Sequence, residues 1–503
     1  MFDAEKVKQE INEQLALWGQ TSMGFGVIKD GEVVLADGFG MADEEKGLRS
    51  NADTLYQIGS CSKAFTAAAM AKCVDDGLAD WDDPVIKYLP WFSYKDPAVT
   101  PRVTIRDMLC HRTGLPRHDA YWTLHEVTRR EMAESMKNMN ACWSLRNTWY
   151  YNNFCFVVVG LIIEKLSGMT WEEFVKEKLL KPIGMNRTFF YVDDLLDDEN
   201  AAAGYQEVFD DPDRKYKKVD YLRFESEDRS KGVGAPFGPA GSIISCVNDM
   251  LKWASFNLNL GKVGDKQIIS EASMKEITRP QMLLDAPLGP AFEEMDFHSY
   301  GFGWFIESYR GHKMVEHGGS INGMSAFVCT IPDQNLGIVA LVNFSGGRIN
   351  YAEAYNVCDD FLEAEQKDWN EAFRELKKKM LGPGSFEDAI RAALEAQYGK
   401  KISGIGPTHP LEAYVGTYEN EMYGRAVISL QDDRLYFEIG RVRSVLENYH
   451  YDTFLFADKD SELYGLGISF RIDKCGEIRA FETDIAEPAE TEVFKKTGEY
   501  KHE

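Results

Sequence analysis

A serine and a lysine three residues apart, Ser60 and Lys63, stand where an extended segment ends in Gly59 and an Ala-rich apolar helix begins. At a helix start this spacing puts both side chains on one face, about one turn apart. A serine hydroxyl is a weak nucleophile until a neighbour takes its proton. A lysine buried in apolar surroundings has its charged form disfavoured, and a neutral amine is a usable base. Ser60-Cys61-Ser62-Lys63 is therefore a minimal nucleophile-and-base pair, and no other Ser-x-x-Lys occurs in the chain. On these four residues alone the plainer reading stands first, with Ser60 an N-cap and Lys63 a solvated residue of the first turn. Two downstream stretches shift the balance: Tyr151-Asn152-Asn153 before an apolar helix, and His317-Gly318-Gly319-Ser320 between strand-like segments.

Neighbouring residues invite blander readings. Cys61 has no clear histidine partner and reads as a small packing residue beside the nucleophile. His111, in the tight loop His111-Arg112-Thr113-Gly114-Leu115-Pro116, reads as a structural histidine holding that loop. Gly38-Phe39-Gly40 lacks the third glycine and the setting of a dinucleotide site.

The elements that must position these groups follow from periodicity. Residues 4–18 read as an amphipathic helix, with Val7, Ile11, Leu15 and Trp18 on one side. Strands over 24–29 and 33–38 follow, joined by the Asp30-Gly31 turn. Helices dominate from Ser60 to Phe256. Residues 191–235 are acidic and weakly periodic, and are expected to form a long excursion over the site. The 284–300 loop is expected to form the remaining pocket wall. Strands are expected over 300–308, 313–317, 324–331 and 337–343, closed by a helix over 351–363. Terminal segments of such a chain can pair into one antiparallel sheet around a helical insert. Two polar helices occupy 366–399. A Gly/Pro-rich linker over 402–410 then gives way to seven short strands between 415 and 483, the spacing of a small antiparallel barrel.

The three motifs together resemble those of serine β-lactamases and penicillin-binding proteins: S-x-x-K, Y-x-N, and the H-x-G variant of K-T-G. The segments His111–Pro116, Pro182–Met185, Gly241–Asp249 and Tyr300–Trp304 resemble the family's connecting phrases, closest to the class C-like branch with its D-amino-acid peptidases and esterases. The resemblance covers about 5–363. It implies that Ser60 is acylated, that Lys63 accepts or shuttles its proton, and that Asn153 bridges Lys63 and the substrate amide. Tyr151, near two cations, is expected to have a lowered pKa and to act as general base. Tyr150 also reads Y-x-N; Tyr151 is preferred because Phe154 follows the asparagine. Gly319 belongs to the third motif, and the N–H groups of Ser60 and Ser320 are expected to form the oxyanion hole. His317 replaces a lysine; it is expected to position a carboxylate or ester and argues against strong β-lactam turnover. A literal Lys496-Thr497-Gly498 is read as a coincidence on a solvated tail. Residues 408–503, through Tyr414–Tyr418 and Tyr423-Gly424, resemble the lipocalin-like barrel appended to some of these peptidases. That barrel is expected to cover a site or mediate assembly.

The expected architecture is thus α+β: a β-lactamase/transpeptidase-like domain over 1–365, a helical linker over 366–407, and a lipocalin-like β-barrel over 408–503. The expected function is a serine hydrolase acting through an acyl-enzyme on Ser60, on short peptides, those with D-residues included, or on small amides and esters. A β-lactamase or penicillin-binding protein is the alternative within that class, and a catalytically silent scaffold the alternative outside it.

Bulk properties agree. The 503 residues carry a net charge of −25, which argues against nucleic acid or an anionic membrane as partner. The nine cysteines have no C-x-x-C pair and read as free thiols in a reducing compartment. No basic-then-apolar leader opens the chain, so a cytoplasmic location is expected. Histidines and acidic residues show no ligand spacing in sequence, so no metal or other cofactor is expected. A homo-oligomer is compatible with all of this.

Overall fold

The computed structural model describes residues 2–207, 216–284, 292–381, 386–459, 461, 463–486 and 491–498. Helix α1 (Ala4–Trp18) starts at Asp3, whose side chain accepts from the N–H groups of Glu5 and Lys6, and stops at Gly19 in the left-handed conformation. Strands β1 (Ser22–Lys29), β2 (Glu32–Asp43) and β3 (Leu48–Arg49) follow. Helices α2 (Ser62–Asp75), α3 (Asn153–Ser167) and α4 (Val247–Leu258) are the longest of the insert. The chain then returns as β4 (Met282–Leu283), β5 (Met295–Tyr300), β6 (Phe305–Tyr309), β7 (His312–Ile321), β8 (Met324–Ile331) and β9 (Leu336–Val342). These strands form one nine-stranded sheet in the order β4-β5-β6-β7-β8-β9-β1-β2-β3, with every recorded pairing antiparallel. The two ends of the domain's sequence therefore meet at the β9–β1 junction.

Strand alternation divides the core between the two sheet faces. Met23, Phe25 and Val27 of β1 pack with Val7, Ile11 and Leu15 of α1 and with α5 (Ile349–Phe361). On the opposite face Gly24 and Gly26 lie beneath α4. A Cβ at either would come within 2.7 Å of Val247 or 2.6 Å of its other methyl, so glycine is what lets the helix approach the sheet this closely. Helix α2 is apolar nearly all round and is buried from Ser62 to Ala71, as such a helix must be.

Three expectations are corrected here. Residues 300–308 are not one strand: β5 ends at Tyr300 and β6 begins at Phe305, with a Gly-rich turn between. The 284–300 segment is accordingly half strand, and its residues 285–291 lie outside the described residues. The 191–235 excursion carries a helix at Val192–Leu196 and a hairpin of Gly204–Glu207 with Tyr216–Val219, with 208–215 outside the described residues.

Past α5, helices α6 (Trp369–Leu381) and α7 (Phe386–Tyr398) lead to a closed eight-stranded barrel: β10 (Gly416–Asn420), β11 (Gly424–Gln431), β12 (Arg434–Ile439), β13 (Val442–His450), β14 (Thr453–Phe456), β15 (Gly467–Ile472), β16 (Ile478–Thr483) and β17 (Glu492–Gly498). Seven strands were expected; the eighth, β17, closes the barrel by pairing with both β10 and β16. Lys496-Thr497-Gly498 is part of that strand and not of a tail: Lys496 Nζ donates to Ala413 O at 2.9 Å. Aromatic rings fill the interior. Phe481 stacks on Phe494 at 4.7 Å between centroids, Tyr418 lies 5.0 Å from Phe481, and Phe437 5.1 Å from Phe456. An eight-stranded barrel is just wide enough to be filled this way.

The barrel docks on the insert. Tyr423 Oη lies 3.0 Å from His118 Nδ1. The Arg441 backbone N–H donates to Leu124 O at 2.9 Å, and its guanidinium reaches Thr123 O and Glu126. Gly440 has φ +53°, and a Cβ there would lie 2.1 Å from Leu124 O, so the contact is made backbone to backbone. Among the described residues no single helix is long and apolar enough to cross a membrane.

Candidate active site

Ser60 sits in a 3-10 turn, Gly59–Cys61, that opens α2 and lies against β7. Gly59 adopts φ +50°, and a Cβ on it would stand 2.7 Å from Ser320 N. A Cβ on Gly319 would stand 1.9 Å from Ile58 O and 3.1 Å from Ser60 N. These two glycines let the turn and the strand approach until the backbone N–H groups of Ser60 and Ser320 are neighbours. Cys61, the expected packing residue, is fully buried and its Sγ donates to His317 O at 3.1 Å.

Lys63 is 0 % exposed. Its Nζ lies 2.7 Å from Asn153 Oδ1, 2.8 Å from Ala240 O and 3.1 Å from Ser60 Oγ. Burial holds its pKa well below the ordinary lysine value; the Asp119 carboxylate opposes this and the Arg117 guanidinium adds to it. A neutral amine has two N–H groups and one lone pair. Two of its neighbours, the Asn153 and Ala240 oxygens, are acceptors only. They take both N–H groups, and the lone pair is left for the Ser60 hydroxyl. The segment bearing Ala240 is fastened to α2 as well: Thr66 Oγ1 donates to Pro239 O and Ile243 N to Ser62 Oγ.

Tyr151 Oη donates to Ser60 Oγ at 2.7 Å. Tyr150 is turned away, its ring stacked on Trp143 at 4.5 Å. The loop behind fixes this choice: Asn152 N donates to His111 Nδ1 at 3.1 Å, Tyr150 N donates to His111 O, and Asn152 Nδ2 donates to Pro116 O. His111 is fully buried, with its pKa pushed well down by burial, and acts as a neutral brace. Tyr151 corrects one expectation. Lys63 Nζ and the Arg117 guanidinium do stand 4.6 and 5.3 Å from its ring, yet burial outweighs the Ser60 hydrogen bond and the Arg117 charge, and raises its pKa above that of a free tyrosine. At neutral pH it is a phenol that donates, not a phenolate that accepts.

Two other positions have protein partners that the sequence did not show. Asn153 Nδ2 points to Asp119, 2.9 and 3.0 Å from its two oxygens, so Asn153 bridges Lys63 to a carboxylate of this chain. His317 is 1 % exposed; its Nδ1 faces Gly318 O at 2.6 Å and its Nε2 accepts from Tyr300 Oη at 3.0 Å. Burial lowers its pKa to about 3. It lies behind the cavity, holding β7 to β5, and the cation at the mouth is Arg117, paired with Asp119. Sequence reasoning passed over Arg117 and Asp119. The available signal was a charged pair two residues apart directly after Gly-Leu-Pro.

Ser60 opens into a cavity of about 870 Å³ lined also by Gly59, Asn153, Gly241 and Ser320. Trp122, Leu222 and Phe237 form an apolar wall; charged residues of both signs, Arg117, Lys217 and Lys218 with Asp119 and Asp220, line the rest. The 204–219 hairpin and the barrel both reach this cavity, the latter through Lys459 and Ser461.

A family model described as Beta-lactamase matches residues 9–357. The chain belongs to the β-lactamase family. It is a serine hydrolase of that family's penicillin-binding-protein-like kind, and its substrate is not set by membership. A second model, described as a domain of unknown function (DUF3471), matches residues 400–497, which span the barrel. The unguisins hydrolase ungD of Aspergillus violaceofuscus is 29% identical over 459 residues, covering 85% of this chain and 77% of its own. Penicillin-binding protein 4* of Bacillus subtilis is 25% identical over 424 residues, covering 82% and 83%. Among solved structures, the octameric penicillin-binding protein homologue from Pyrococcus abyssi has TM-score 0.63 at 24% identity, covering 98% of this chain and all of that one. That last likeness is one of fold.

Proposed function

We propose that this β-lactamase-family protein is a peptidase or amidase, with esterase activity, that works through an acyl-enzyme on Ser60. The observation that carries the reading is the convergence on Ser60 Oγ of a buried amine at 3.1 Å and a phenol at 2.7 Å, at the edge of a cavity. Lys63 takes the Ser60 proton as the oxygen attacks an acyl carbon. The N–H groups of Ser60 and Ser320 receive the developing oxyanion, each such donor contributing about 3 kcal/mol to the barrier. Tyr151 hands its proton toward the leaving nitrogen or oxygen, and the proton that Lys63 took from Ser60 then restores the Tyr151 phenol, leaving both groups as they began. Asn153 fixes the Lys63 amine, and Asp119 fixes Asn153. Gly319 keeps β7 close.

The substrate is a short peptide or small amide, D-residues included. The cavity has room for a few residues, an apolar wall for a side chain, and Arg117 at its mouth for a carbonyl or carboxylate. That one relative is named as a hydrolase of unguisins and another as a penicillin-binding protein is in keeping with hydrolysis through an acyl-enzyme. The octameric neighbour is in keeping with homo-oligomerisation, and the acidic surface with a protein of the cytoplasm that binds neither nucleic acid nor membrane.

Labelling with a fluorophosphonate, wild type against Ser60→Ala, tests the nucleophile; equal labelling of both would overturn it. A panel of D-aminoacyl amides, dipeptides, p-nitrophenyl esters and a chromogenic cephalosporin tests the substrate class. Peptide and amide turnover is expected to exceed cephalosporin turnover, and the reverse order would replace this reading with that of a β-lactamase.

A further inference from the structure

His298, Glu307 and Glu316 come from three adjacent strands, β5, β6 and β7. They are far apart in any local spacing, yet one ligand-type atom from each lies within 4.8 Å of the others. His298 Nε2 stands 3.3 Å from Glu307 Oε1. Glu307 Oε2 is engaged separately, accepting from Tyr355 Oη at 3.3 Å, which leaves Oε1 turned to the cluster. Glu316 is 5 % exposed, and its Oε2 has no hydrogen-bond partner. A buried carboxylate oxygen left unsatisfied is costly, and such a group calls for an explanation. Nothing in the catalytic arrangement uses any of the three.

We propose that His298, Glu307 and Glu316 bind one divalent transition-metal ion, zinc or manganese, which braces the strand that carries His317 to Ser320. The donor set is one imidazole nitrogen and two carboxylate oxygens, which suits these ions better than magnesium or calcium, whose sites are all oxygen, or copper(I), which seeks sulfur. Metal bonds of about 2.1 Å hold ligands roughly 3–3.5 Å apart, so the 3.3 Å pair needs no change and the remaining gap closes by side-chain rotation. Charge agrees. Two carboxylates and a neutral imidazole around a divalent ion sum to zero, which is what a buried site requires. Burial raises the Glu307 carboxyl to about 7 and Glu316 well above the ordinary range, with Arg348 the one cation opposing this at Glu316; an arriving ion displaces the protons that burial would otherwise keep there. Entry is from the His298 side, where the imidazole is 19 % exposed against 6 % for the Glu307 carboxylate.

The test uses the full chain, purified without an immobilised-metal column and stripped with EDTA. Zinc chloride and, separately, manganese chloride are added back. Bound metal is measured by mass spectrometry after gel filtration, and Tm with and without metal. Wild type is expected to keep roughly one equivalent of at least one of the two and to gain in Tm. Glu316→Gln and His298→Asn are expected to bind at least about tenfold more weakly and to lose the Tm gain. Metal retained equally by wild type and both variants would overturn the proposal. So would a stripped wild type that takes up neither ion, which would mean that the two carboxyls share a proton instead. If Glu316→Gln is unfolded by circular dichroism, His298→Asn, at the more exposed corner, decides alone.

Discussion

At the scale of single residues, the site turns on where one proton sits. Burial lowers the pKa of Lys63 and so favours its neutral form, and Asp119 and Arg117 tune it in opposite senses. In the proposed mechanism protonation of Lys63 stops acylation, so its pKa sets the acid limb of kcat/KM. Arg117→Gln removes a positive neighbour, lets the ammonium form more readily, and is expected to move that limb to higher pH. Asp119→Asn removes a negative neighbour and is expected to move it to lower pH. Shifts of roughly 0.5–1 unit are anticipated, one unit being about 1.4 kcal/mol. A pH–rate series on a p-nitrophenyl ester reads both; shifts of the same sign would show that the two act through geometry instead. Ser60, Lys63 and Tyr151 were legible in the sequence because each sits in a short stretch whose residue types suffice to suggest its chemistry. The protonation of Tyr151 was not, because burial is a property of the packed molecule and outweighs the Arg117 charge. The protein partners of Asn153 and His317 were hidden for the same reason. Their partners, Asp119 and Tyr300, are 34 and 17 residues away and meet them only in the fold.

Among the elements, β7 has most to do. It supplies Ser320, keeps His317 behind the cavity, and lies against the turn that bears Ser60. Gly319 is what permits the close approach, since a Cβ there would stand 1.9 Å from a carbonyl oxygen. Gly319→Ala is expected to push the turn and strand apart and to lower kcat about 100-fold or more, the loss of one oxyanion donor, at a modest cost in Tm. Activity within tenfold of wild type would show that the Ser320 N–H is not used. The strands of the sheet were largely legible from alternation and turn residues. Two misses have physical causes. The turn after Tyr300 was hidden because Phe302 and Trp304 are themselves buried and keep the stretch looking like a continuous strand. Strand β17 was missed because it ends in Lys-Lys-Thr-Gly, half exposed, and takes its order from pairing with two distant partners.

For the molecule as a whole, the barrel meets the insert through polar contacts close to the catalytic loop and through apolar residues continuous with the insert's core. His118 lies one residue from both Arg117 and Asp119, and its imidazole meets Tyr423 of the barrel. Tyr423→Phe with Arg441→Ala is expected to cost about 2–4 kcal/mol in total, several hydrogen bonds being lost at a partly buried interface. The double variant should label at Ser60 with a small fluorophosphonate within about twofold of wild type, while KM for longer peptides changes by roughly tenfold, about 1.4 kcal/mol. Identical substrate profiles before and after would show that the barrel is no part of the binding wall. The presence of a barrel was legible from the even rhythm of short strands and Gly, Asp and Asn turns. Its docking was not, because no local pattern says which outer surface of a barrel meets another domain.

Lys459 and Ser461 belong to a segment between two barrel strands, on a scaffold whose inside is packed solid with rings. Such a segment can accept insertions and exchanges without disturbing either the fold that carries it or the groups that form and break bonds. Taste and appetite are therefore governed by different stretches of the polypeptide: a lineage can retune what it digests by editing one tip of its carboxyl-terminal third, and leave the machinery of digestion untouched.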